Sequence, residues 1–163
     1  TGSINWRLID PFGKDVWSQA FGDRDVETLA LSGTYTLAIE GYVGNATSPL
    51  DLTFAIQKVT DTSVPMVVGA RAQGEITHAG QKNSFTFNLA TAGRFYFDSL
   101  TNDPNLQWSL VGPRGLEFNN PRFLANSDAS GSSERPVLEL LAGSYTLIVD
   151  ADYDATGSYA FRL

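Results

Sequence analysis

The sequence predicts an all-β protein, an antiparallel, jelly-roll-like β-sandwich preceded by an additional half repeat. Three observations predict it. Apolar and polar residues alternate along nearly every segment, turn chemistry separates the segments, and one pattern is written twice. In "SFTFNL" (Ser84–Leu89), Phe85, Phe87 and Leu89 fall on one face. Phe95 and Phe97 do so in "RFYFDSL", and Tyr145, Leu147 and Val149 in "SYTLIVD". Such a period of two describes a half-buried strand. "AGR", "TNDPN", "GPRG" and "SDASGSS" supply turns, because Gly reaches positive φ, Pro presets φ, and Asp or Asn bonds its own backbone. Helical periodicity is missing; the best candidate is a single turn around Asp23–Thr28.

The doubled pattern organises the chain. "INWRLIDPFG" answers "LQWSLVGPRG", setting Trp6 against Trp108, Leu8 against Leu110, Pro11 against Pro113 and Gly13 against Gly115. "ETLALSGTYTLAIEG" then answers "PVLELLAGSYTLIVDA": Leu29 and Leu31 against Leu138 and Leu140, Gly33 against Gly143, Tyr35 against Tyr145. "LDLTFAI" answers "GSYAFRL", and the second stretch carries an extra "NSDASGSSERP". Order and spacing both hold, as in repeat architectures.

Residues 69–104 have no earlier counterpart and read as strands around Gly74–Thr77, Ser84–Leu89 and Gly93–Ser99. Joined to the second stretch they make a complete sandwich over residues 69–163. Residues 1–59 then read as the C-terminal half of a preceding repeat, and 60–68 as a linker in which Pro65 interrupts pairing. Such a half unit should expose strand edges and an apolar face, and should be completed by the full unit, a neighbouring repeat or another copy of the chain.

Composition narrows the function. The net charge is −7, from 11 basic and 18 acidic residues with no Lys/Arg stripe, so nucleic acid is not an expected partner. No apolar run approaches the ~20 residues of a membrane-spanning helix, so membrane insertion is not expected either. With no cysteine there is no disulfide framework, thiol nucleophile or thiolate metal site.

The string "G-x-I … GQ … F-x-F-x-L … AGR-x-YFD-x-L … W-S-L-x-GP-x-G … L-x-AG-x-YTL-x-V … TG-x-Y-x-F-x-L" resembles the bacterial pre-peptidase C-terminal family and its relatives in large exported proteins. It runs from Gly74, Ile76, Gly80 and Gln81 through Trp108 and Gly115 to Gly157, Tyr159 and Phe161. The resemblance implies a jelly-roll-like sandwich, secretion and a non-catalytic accessory role. It also implies relatives that bind calcium near an acidic N-terminal linker, or collagen or polysaccharide; here "TDTSVPMVVGARAQGE" offers Asp61 and Glu75.

Candidate chemistry is sparse. His78, the single histidine, lies in the turn "EITHAGQKN", and no G-x-S-x-G elbow is present, so no catalytic residue is expected. Asp150, Asp152 and Asp154 in "DADYDATGS" are the sharpest local feature. On a continuing strand their carboxylates would project together at ~7 Å intervals, a repulsion that a hard cation with oxygen ligands relieves. Calcium is therefore the candidate ion, set against a plain solvated strand end. The loop is not an EF-hand, since Ala155 and Phe161 stand where Gly and Glu are required. The first stretch has Glu40, Tyr42 and Gly44 at these places. Asp98 to Asp103 form a second acidic turn. Trp17, Phe21, Phe118 and Phe123 are candidates for a sugar-stacking platform or for packing. "NAT" at Asn45–Thr47 is a glycosylation sequon.

The expected function is a non-catalytic structural or adhesive repeat of a large exported bacterial protein, extracellular or on the cell surface, acting as spacer and interaction surface. The alternative is a calcium-assisted polysaccharide- or matrix-binding module attached to a secreted enzyme.

Overall fold

A computed structural model describes residues 4–41, 51–119, 121–124 and 137–163. Strands are the only regular elements among them, and the turn expected to be helical at Asp23–Thr28 is irregular. The chain divides into two compact units between Gln57 and Lys58.

The first unit is a three-stranded antiparallel sheet: β1 (Ile4–Ile9), β2 (Asp15–Ala20) and β3 (Thr36–Gly41), in the order β2-β1-β3. The stretch "LDLTFAI", matched in sequence to "GSYAFRL", forms no strand over the described residues 51–57.

The second unit holds β4 (Thr62–Pro65), β5 (Arg71–Ile76), β6 (Asn83–Leu89), β7 (Gly93–Tyr96) and β8 (Asp98–Ser99). β9 (Asp103–Gly112), β10 (Gly115–Phe118), β11 (Arg122–Phe123), β12 (Val137–Leu140), β13 (Gly143–Ala151) and β14 (Gly157–Arg162) follow. One layer runs β10-β9-β13-β6-β4, with β11 added against β9; the other comprises the small sheets β12-β7 and β5-β14-β8. This is the expected β-sandwich. Among the described residues all ladders are antiparallel but one.

The exception lies within the stretch expected as a linker, 60–68, and corrects the expectation that Pro65 interrupts pairing there. Thr62–Pro65 pairs in parallel with Asn83–Thr86 as the edge strand β4. Pro65 is tolerated because an edge strand can leave its missing N–H on the outer side, and Met66 N–H resumes bonding to Thr86 O at 2.9 Å.

Period-two alternation builds the core. Phe85, Phe87 and Leu89 of β6, Leu106, Trp108 and Leu110 of β9, and Tyr145, Leu147 and Val149 of β13 all point inward. Aromatic rings join the layers. Phe97 stacks on Trp108 at 4.1 Å and on Phe161 at 5.3 Å, and Phe85 meets Phe161 edge-on at 5.2 Å.

Several paired features of the doubled pattern have the same conformation in both units. β1 lies between β2 and β3, as β9 lies between β10 and β13. Trp6 opposes Ile39 as Trp108 opposes Val149, and Leu8 opposes Leu37 as Leu110 opposes Leu147. Gly13 and Gly115 close their hairpins at φ +85 and +88. Gly33 and Gly143 sit at φ +139 and +143, where an added Cβ would meet Pro11 at 2.8 Å and Pro113 at 2.5 Å. The Tyr35 hydroxyl donates to Leu31 O, and that of Tyr145 donates to Leu141 O. The bond aligns Leu31 with Leu141, one residue beyond the Leu140 that letter matching selects.

Candidate functional site

The acidic end of β13 lies beside the start of β9, with Asp150 opposite Gln107. The ladder stops at Ala151, and the chain then turns: Ala155 N–H bonds Asp152 O at 3.0 Å, and Tyr153 takes φ +51. The expected row of three carboxylates therefore does not form, since strand alternation ends before it can align them. Asp152 makes an ion pair with Arg122 at 2.5 Å, and Arg122 also donates to Pro104 O. Asp154 is exposed. Asp103, from the second acidic turn, accepts from Asn105 N–H at 2.9 Å, while Asp98 stands on β8 opposite Arg162. Among the described residues no group of three or more His, Cys, Asp or Glu is placed to hold a metal ion. Calcium needs about six to eight oxygens, and these residues do not fit it.

What remains at this end is one strained charge. Asp150 Oδ1 is buried without a hydrogen-bond partner. Burial pushes the carboxyl above its ordinary value; Lys82 and the Gln107 side chain pull it down, and Asp152 adds to the rise. A carboxyl raised in this way opposes folding once ionised, so stability falls as pH climbs from the ordinary value of 3.8. Asp150→Asn should therefore raise the melting temperature at pH 7, by the equivalent of at most about 1 kcal/mol after solvent screening. The gain should vanish near pH 3.5; a lower melting temperature at pH 7 would contradict it.

The outer face of the β5-β14-β8 sheet carries an open depression of ≈ 480 Å³. Arg71, Gln73 and Glu75 alternate outward along β5, Ser158 lies on β14, and Leu100 and Thr101 form one wall. Composition gave no hint of this surface, although the alternation "RAQGEI" contains it. Tyr159 lies beneath. Gly74 lets its ring approach so closely that an added Cβ would stand 2.5 Å from the hydroxyl. That hydroxyl is buried with no hydrogen bond of good geometry, and burial pushes it up to about 12 while the Asn83 side chain pulls the other way. The folded protein thus keeps a proton that the unfolded chain loses, and stability should fall as pH rises from 10 to about 12. Tyr159→Phe should abolish that slope and leave neutral stability unchanged or up to about 1 kcal/mol higher. An unaltered alkaline slope in a pH series of melts would contradict the assignment.

His78 has a structural position. Thr77 Oγ1 donates to Gln81 Oε1, so His78 Nδ1–H donates to Thr77 Oγ1, and Nε2 accepts from Thr60 N–H at 3.1 Å. Asp61 accepts from Lys82 N–H at 2.8 Å, and Glu75 is exposed on β5. These contacts fasten the entering chain to the sandwich.

The aromatic candidates pack. Phe123 is fully buried, and Phe118 lies 6.1 Å from Trp108. Trp17 and Phe21 each lie 5.1 Å from Trp6, and Arg24 covers the Trp17 ring at 5.2 Å. They form no coplanar platform. Residues 45–47 and the insertion at 126–136 lie outside the described residues.

Fold and site together define an antiparallel β-sandwich module joined to a three-stranded β-sheet unit. No family model and no curated protein matches the chain. Among solved structures it is similar to the pre-peptidase C-terminal domain of a collagenase from Bacillus anthracis. The identity is 17%, the TM-score 0.43, and the match covers 66% of this chain and 98% of that one.

Proposed function

We propose that the protein is a non-catalytic structural repeat segment of a large exported bacterial protein, acting outside the cell as spacer and interaction surface. The observation that carries this reading is the doubled conformation. Strand order, cross-strand register, two positive-φ glycines and a tyrosine hydroxyl bond recur at matched positions in both units. Repeats of this kind act through length and multivalency. Their exposed sheet surfaces, such as the depression beside Arg71 and Ser158, are where extracellular polysaccharide or protein would be met.

Thermal melts with and without calcium, on the wild type and on Asp150→Asn, test this reading against the calcium-assisted binding module. The spacer reading expects the same midpoint with and without calcium in both proteins. A calcium-dependent rise in the wild type that Asp150→Asn removes would overturn it, because a ligand bound to the folded state stabilises by mass action.

A further inference from the structure

We infer that the first unit is a strand acceptor: the open edge of β3 and the apolar face beside it take up an antiparallel strand of N-x-F-x-F-x-L pattern, supplied by a further polypeptide segment of the β6–β7 type. The inference rests on the repeat reading above and deepens it.

The second unit shows what the matched surface carries. There β13 has two neighbours, β9 and β6. Among the described residues β3 has one, β1. The β9 ladder covers Thr146–Ala151, and the β1 ladder covers the matching Thr36–Gly41. Gly143–Tyr145 are strand through β6 alone, pairing with Leu89, Asn88 and Phe87. Their counterparts Gly33–Tyr35 are not strand. The missing three residues of β3 are thus those that a β6-like partner would order.

The acceptor is already shaped. Gly33 holds the same positive φ as Gly143, and Tyr35 is pinned by Leu31 as Tyr145 is by Leu141. An edge held in its paired conformation loses less entropy when it binds.

The face is uncovered in the same register. Trp108, Leu110, Leu147 and Val149 are buried in the second unit, whereas no described residue of the first unit is. Ile39 is 36% exposed where Val149 is 0%. The opposite face of the first sheet is polar: Arg7 forms ion pairs with Glu40 at 3.0 Å and Asp15 at 3.4 Å. A partner must therefore arrive on the Trp6–Ile39 side, with apolar residues alternating inward.

Geometry also selects the occupant. Two such faces from two copies of the chain would meet over roughly 14 Å by 20 Å. That is far below the ~800 Å² per partner of a stable interface, and it would leave both β3 edges unpaired. A β6–β7 hairpin supplies edge hydrogen bonds and apolar cover at once, as in strand addition. In the matched register its Asn83, Phe85 and Phe87 positions fall opposite Ile39, Leu37 and Tyr35.

The test adds a synthetic peptide of residues 81–100 to the intact 163-residue chain and follows amide hydrogen exchange from Gly33 to Ile39. Exchange at alternating amides should slow by ~tenfold or more. A peptide carrying Phe85→Asp and Phe87→Asp should leave it unchanged. No slowing, equal slowing by both peptides, or protection that grows with the concentration of the chain alone would overturn the inference, the last in favour of a second copy. Calcium plays no part in this readout, so a calcium-shifted melt would overturn the spacer reading and leave strand acceptance standing.

Discussion

Phe97→Ala is expected to lower the unfolding free energy of the second unit by about 3–5 kcal/mol. Phe97 is almost fully buried and stacks on Trp108 and Phe161, with Phe123 edge-on at 5.8 Å. Its neighbours belong to β9, β14 and β11, so the cavity would open where the two layers meet and could not collapse by moving one strand. Truncation removes the transfer free energy of a benzyl group and its dispersion contacts with three neighbouring rings together. Urea titration followed by tryptophan fluorescence checks it, since Trp108 reports the same site. A loss below about 1 kcal/mol would mean that Phe97 does not join the layers.

Gly112→Ala should cost about 3 kcal/mol, at the upper end for overpacking. An added Cβ would stand 2.2 Å from Tyr145 Cε1, 2.6 Å from Cδ1 and 3.1 Å from Glu117 Oε1. Tyr145 cannot swing away cheaply. Its hydroxyl holds Leu141 O at 2.9 Å, and its ring stacks on Phe87 at 5.2 Å. Glu117 is held in turn by Arg114, whose hydrogen bond keeps that carboxyl below its ordinary value. Gly115→Ala is the control. Nothing lies within 4 Å of its added Cβ, and only the φ of +88 resists, so the loss should be about 1 kcal/mol. Equal losses at the two positions would show that backbone conformation, not the tyrosine, requires glycine at 112.

Much of this was legible in the letters. Alternation placed Phe85, Phe87, Leu147 and Val149 on buried faces because a pleated strand permits no other distribution. Gly13, Gly33, Gly115 and Gly143 marked turns and strand entries because positive φ is costly for other residues. The candidate site was less legible. Asp150, Asp152 and Asp154 have the right spacing for a shared face, but spacing cannot show where a ladder ends. β13 stops at Ala151, and Arg122, thirty positions away in the chain, takes Asp152. The residues called a linker became β4 because an edge of β6 was available to pair with, a property of a distant segment.

The sequence by itself determined the strand class, the two matched stretches and the residues facing the core, all of which follow from local periodicity and backbone preference. Only the tertiary structure decided which carboxylate has an oxygen buried without a hydrogen-bond partner, that Tyr159 lies under Gly74, and that β3 pairs with β1 alone among the described residues. Each of these depends on which non-local strand lies alongside, and pairing across tens of residues leaves no mark in local spacing.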